Sequence, residues 1–178
     1  KNNPQYLIVA SAGNSGQVSY TGGLFSGYDK LTSDKNAKNN LVVANANPTL
    51  EPFSGDVQAV NINSGSSQGP TDDLRIKPDI AGDGTGVYSS VPDNNYATFN
   101  GTSMSAPGVA GSLALLQEYY QQLNGGYMNA STLKGLVCHT AVDNSTEPGP
   151  DPSFGWGFLD TKASADVIAA NNNNTAVI

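Results

Sequence analysis

The chain has 178 residues, 38% of them hydrophobic, enough for one domain with its own core. Fifteen Asp and Glu against eight Lys and Arg leave a net charge of -7, which repels phosphate backbones and argues against a nucleic-acid partner. No apolar run approaches the roughly 20 residues of a membrane span, and no charged-then-apolar leader opens the sequence.

Tyr6 to Ala10 is a short apolar run suited to a buried strand, ending in Ser11-Ala12-Gly13-Asn14-Ser15-Gly16, a loop by composition. Polar sequence then runs to Asn40 as surface connections. Leu41 to Ala46 predicts a second buried strand, and Phe53 to Ile62, which partly alternates, predicts one or two more. Ser64 to Pro70 is loop. Asp72 to Lys77 is charged and expected to be exposed, and Pro78-Asp79-Ile80-Ala81-Gly82 is expected to lead into a turn. Tyr96 to Phe99 suits a short strand.

The clearest helix opens around Ser103, where Val109, Leu113, Leu116, Tyr120 and Leu123 recur at spacings of three and four. Gly125-Gly126 ends it. Ser131 reads as the N-cap of a second helix, Thr132 to Cys138, and Asp160 as the cap of a third with Ala163, Val167 and Ile168 inward. Asn171 to Asn174 reads as solvated tail. With no internal repeat and no linker, the chain is one unit over residues 1–170 with a polar tail, 171–178. Strands mixed with packed helices predict an α/β layered architecture. The one cysteine, Cys138, follows Leu136-Val137 and reads as a buried thiol without a disulfide partner.

The segment that carries chemistry is Asn100-Gly101-Thr102-Ser103-Met104-Ser105-Ala106-Pro107. A serine at the start of a helix lies among unpaired backbone N–H groups and at the positive end of the helix dipole, which favours negative charge developing there. From helix logic alone Ser103 is either a nucleophile or a cap, and Asn14, between two glycine-containing turns, is an ordinary turn residue.

Gly101-Thr102-Ser103-Met104-Ser105-Ala106-Pro107-Gly108-Val109-Ala110-Gly111 resembles the nucleophile motif of the subtilisin-like serine proteases, the subtilases. Gly108 departs from it, standing where many members carry a histidine. Four more segments resemble the family in its order: Leu7 to Gly16, which in the family carries the oxyanion-hole asparagine; Ala37 to Ala44; Gly69 to Ile80; and Phe154 to Asp160. The resemblance implies the C-terminal half of a parallel-sheet, layered subtilisin-like fold, and a serine endopeptidase working through an acyl-enzyme. It makes Ser103 the nucleophile and Asn14 an oxyanion donor. Ser11, Ala12 and Gly13 become a wall of the substrate pocket, their backbone free to pair with extended substrate, and Thr102 adds a hydroxyl near the oxyanion.

A nucleophilic serine needs a base oriented by an acid. The only histidine, His139, follows an apolar helix end, where the family has a structural segment. The family order is Asp, His, Asn, Ser, so both partners are expected upstream of Lys1, and the chain alone is expected to be inactive. Its expected partners are a polypeptide substrate and that missing N-terminal half. The family needs no cofactor; it often binds structural calcium, for which Asp79, Asp83 and Asp93 are candidates without EF-hand-like spacing, and no catalytic metal is expected. An extracellular or cell-envelope setting comes from the resemblance alone. Two patterns carry less: Ser131-Thr132-Leu133-Lys134 fits S-x-x-K but lacks its partner motifs and reads as a cap followed by an exposed lysine, and Asp72-Asp73 reads as a solvated turn. The rival to an enzyme is a non-catalytic subtilase-like module that binds peptide or assembles a larger complex.

Overall fold

The computed structural model describes residues 3–18, 28–143 and 148–172. In chain order, β1 (Val9–Ser11), β2 (Leu41–Leu50), β3 (Val57–Ile62) and β4 (Ile80–Asp83) form one sheet. β5 (Val87–Val91) and β6 (Asn95–Phe99) form a separate antiparallel hairpin. The helices α1 (Thr102–Asn124), α2 (Ala130–His139) and α3 (Thr161–Asn172) follow. β1 and β4 flank β2 in parallel, while β3 runs antiparallel to the second half of β2.

The six residues Leu41 to Ala46 are all buried, because β2 is covered on both faces. Leu41 and Val43 join Ile80, Val109, Leu113 and Leu116 under α1, with Leu136, Val137 and Ile168 from the other helices. The alternate positions look the other way: Val42 packs with Ala12 and Leu31, and Ala44 and Ala46 with Val60, Ala81 and Phe158. A central strand bearing α1 on its back is what fixes the helix relative to the β1 loop.

The helical stripe of α1 holds for Val109, Leu113 and Leu116, but Leu123 is 36% exposed, and Gly125 terminates the helix as expected. The Asp160 carboxylate accepts from the Ala163 N–H at 2.8 Å, so it caps α3. Four expectations are corrected. Tyr6 and Ile8 are 70% and 54% exposed, and the strand is only Val9–Ser11. Asn129, not Ser131, precedes α2. Ile80 to Asp83, expected only as part of the lead into a turn, is a strand with its apolar part buried beside β2. Helix α3 runs through Asn172, so the tail does not start at Asn171, and 173–178 lie outside the described residues.

Lys77, expected outside, is 2% exposed. Its ammonium donates to the Asn40 carbonyl, Asn40 Oδ1 and Asp79 Oδ2, while Lys134 reaches Asp79 Oδ1 at 2.7 Å. A buried carboxylate between two ammoniums is neutralised where it stands, which is how three charges survive beside a core strand. Lys134 is therefore turned into this network rather than out to solvent. The Asp73 carboxylate is held down to about 2 by the Arg75 guanidinium and then the Thr71 hydroxyl, in the solvated turn expected of Asp72-Asp73.

Candidate active site

Ser103 lies in the first turn of α1, exposed, one residue after Thr102 and two after the N-cap Gly101. Gly101 has φ of 150°, a conformation that strains any side chain, and it packs directly against the Asn14 side-chain amide, 3.5 Å from where a Cβ would stand. Gly84 closes the other side. The Gly101 N–H donates to its carbonyl at 2.8 Å, and a Cβ on Gly84 would overlap Ser105 Oγ at 2.0 Å.

Thr102 is the clasp between the two segments. It is 0% exposed, and its Oγ1 accepts from the Gly13 N–H and donates to Asn14 Oδ1, both at 3.1 Å. The Thr102 N–H donates to the same Asn14 oxygen at 3.1 Å. A backbone N–H can only donate, so Asn14 must present its oxygen to Thr102 and its Nδ2 amino group away from it. That amino group has no acceptor among the described residues. Of the early helical N–H groups, those of Met104 and Ser105 bond the Gly101 carbonyl. The Ser103 N–H has no acceptor among the described residues either. Two free donors thus flank an exposed hydroxyl at the unneutralised end of a helix with no acidic residue in its first turn, an arrangement able to hold an anionic oxygen.

The loop bearing Asn14 is pinned from behind. The Ser67 N–H donates to the Gly13 carbonyl at 2.8 Å and Ser67 Oγ accepts from the Ser15 N–H at 3.0 Å. The Gly16 N–H reaches the Gly65 carbonyl at 2.9 Å, and the buried Lys30 ammonium donates to the Gly16 carbonyl. Ser67 and Lys30 were not legible as site residues; a plain serine loop and an isolated lysine carry no pattern.

The expected residues do not all stay in their expected roles. Asn14 and Ser103 are brought to one place. Thr102 is buried and grips Asn14, so it does not face the open side. Ala12 is 1% exposed with its methyl in the core. Both backbone groups of Gly13 are taken, by Thr102 and Ser67, so Gly13 is not free to pair with an extended chain; Ser11 remains half-buried on β1. His139 is exposed at the end of α2, against a cavity of about 790 Å³ lined by Tyr6, Lys38, Lys134, Cys138 and Trp156 among others. None of Asn14, Thr102 and Ser103 lines that cavity.

The calcium candidates fare differently. Asp79 does not fit a metal ligand, because Val42 N–H, Lys77 and Lys134 already take its oxygens. Asp83 is exposed and accepts from the Thr85 N–H; Asp93 sits in the β5–β6 turn with φ of 65°. No group of three or more His, Cys, Asp or Glu converges among the described residues, and no helix among them is long and apolar enough to cross a membrane.

The chain is 43% identical over 93 residues to a C5a peptidase of Streptococcus pyogenes, covering 52% of this chain and 8% of that protein. It is 32% identical over 121 residues to a PII-type proteinase of Lacticaseibacillus paracasei, covering 60% and 6%. The matched segment therefore covers less than a tenth of the length of these relatives. In fold it is similar to the Clostridium perfringens CspB protease, with a TM-score of 0.67 at 24% identity over 81% of this chain and 30% of that one. It is likewise similar to the patellamide maturation protease PatA, with a TM-score of 0.66 at 21% identity over 92% and 52%. The model of the Subtilase family (Peptidase_S8) matches residues 1–157, and the chain belongs to that family.

Proposed function

We propose that this chain carries the nucleophile and the oxyanion site of a serine endopeptidase. The observation that supports this best is the clasp of Thr102 on Asn14, which leaves the Asn14 amino group and the Ser103 N–H as free donors beside an exposed serine hydroxyl. In this reading Ser103 Oγ attacks a peptide carbonyl and its proton passes to a base. The carbonyl oxygen gains its negative charge between the two donors, which bind that charge more strongly than the neutral carbonyl. Collapse breaks the C–N bond, the base returns the proton to the leaving amine, and water then hydrolyses the acyl-enzyme.

The base and its acid come from polypeptide outside this chain. The only histidine is His139, against a separate cavity; that and the small share of each relative's length support this part. The partners are thus that polypeptide and a peptide substrate, and the setting is the cell envelope or outside the cell, as the family resemblance implies.

The test uses the complete polypeptide carrying this chain. Ser103→Ala should abolish both peptide hydrolysis and labelling by a fluorophosphonate probe, with the label on the unmodified protein mapping to Ser103. Undiminished hydrolysis by Ser103→Ala refutes the assignment.

A further inference from the structure

The hairpin β5–β6 leads directly into the nucleophile turn and lies at the surface of the described fold. None of its ten strand residues is buried. Its base is nonetheless tied to the helix start: the Gly86 N–H donates to Asn100 Oδ1 and the Gly101 N–H to the Gly84 carbonyl. Whatever the hairpin holds is therefore held at a fixed offset from Ser103.

The register pairs Tyr88 with Thr98 and Ser90 with Tyr96, so these four side chains share one face. Tyr88 and Tyr96 are 69% and 58% exposed and stack on each other, with ring centroids 5.4 Å apart and planes 21° apart. Two large rings kept together in water form a platform with electron-rich faces. Along the chain on either side of it the charges have one sign. Between Lys77 and Lys134 there is no Lys, Arg or His, only Asp79, Asp83, Asp93 and Glu118; Asp79 is neutralised in its lysine network, whereas Asp93 is exposed at the hairpin tip.

We propose that this hairpin is an exosite for the polypeptide substrate, holding a basic side chain that lies outside the scissile bond. The cation rests on the open outer face of the stacked Tyr88–Tyr96 pair, with the Asp93 carboxylate of the hairpin tip as its counter-charge. Arginine fits better than lysine, because a planar guanidinium stacks on a ring while keeping its edge free for a carboxylate. The proposal rests on reading Ser103 as an endopeptidase nucleophile; it adds a preference for basic substrate.

Direct binding tests it apart from catalysis. The Ser103→Ala form of the complete polypeptide is titrated with labelled peptides identical except for Arg, Gln or Glu, scanned through positions outside the scissile bond. At one position or more, Arg should bind tightest and Glu weakest. Tyr88→Ser with Tyr96→Ser should weaken the Arg peptide about fivefold, toward the Gln level, whereas Tyr88→Phe with Tyr96→Phe should retain the preference. Asp93→Asn, which leaves the rings in place, should narrow the Arg-to-Glu gap and serves if the serine double variant does not fold. Equal affinities for Arg and Glu at every position, an Arg preference that survives loss of both rings, or a gap unmoved by Asp93→Asn overturns the exosite. If the Arg preference depends on the rings but the Ser103-intact protein cleaves nothing, the endopeptidase reading falls and the exosite remains as a peptide-binding site.

Discussion

Thr102→Val keeps shape and burial but removes one hydroxyl, and the structure says what that hydroxyl does. Its oxygen accepts from the Gly13 N–H and donates to Asn14 Oδ1, both at 3.1 Å, inside a side chain that is 0% exposed. Valine leaves the half-buried Gly13 N–H without its partner, which costs about 1–3 kcal/mol, or a fall of several degrees in Tm for a chain of this size. Asn14 keeps one of the two bonds on its oxygen. Losing a bond worth about 1 kcal/mol cuts the oriented population about fivefold, so turnover of the complete enzyme should fall five- to tenfold, mainly in kcat. That is far less than removing the donor altogether, which costs about 10²–10³ in subtilisin, itself a subtilase. The assay is a double-mutant cycle with Asn14→Leu, in kcat and in urea midpoint. If Thr102 works through Asn14, Thr102→Val should cost little further turnover in the Asn14→Leu background. Fully additive losses in kcat refute the clasp.

Three further outcomes follow from burial and charge. Lys77→Met strips a buried ammonium from Asn40 and Asp79 while Lys134 still serves Asp79, so destabilisation should be about 3 kcal/mol, at the low end for breaking a buried pair; an unchanged urea midpoint contradicts it. Gly108 lies within α1 with open space where a Cβ would go, so Gly108→Ala should raise stability by roughly 0.5–1 kcal/mol in the same measurement, and a loss would mean an unseen contact. Burial, then the Asp79 charge, pushes the Cys138 thiol up to about 11 from an ordinary 9.0. The unfolded chain therefore gives up this proton first, and stability should decline as pH rises from about 9 to about 11. Cys138 is half-buried rather than fully buried, yet iodoacetamide at pH 8 should alkylate folded protein far more slowly than unfolded protein, and equal rates would refute the raised thiol pKa.

By itself the sequence determined what depends on near neighbours. The apolar run at Leu41 to Ala46, the stripe from Val109 to Leu116, the stop at Gly125 and the cap at Asp160 are local patterns, and each stands in the fold because local periodicity decides which face is apolar. The Ser103 turn and the Asn14 loop were legible as motifs for the same reason, being short runs of fixed residue type. Only the tertiary structure decided which polar groups meet. Lys77 reads as surface until Asp79 and Asn40 are folded around it, and Thr102 reads as a substrate contact until Gly13 and Asn14, some 89 positions away, close on its hydroxyl. Pro78 to Gly82 reads only as the lead into a turn, yet a place beside β2 supplies the backbone partners that make Ile80 to Asp83 a strand. Burial and long-range pairing set the energy of a charge or a hydroxyl, and neither is written within reach of one residue's neighbours along the chain.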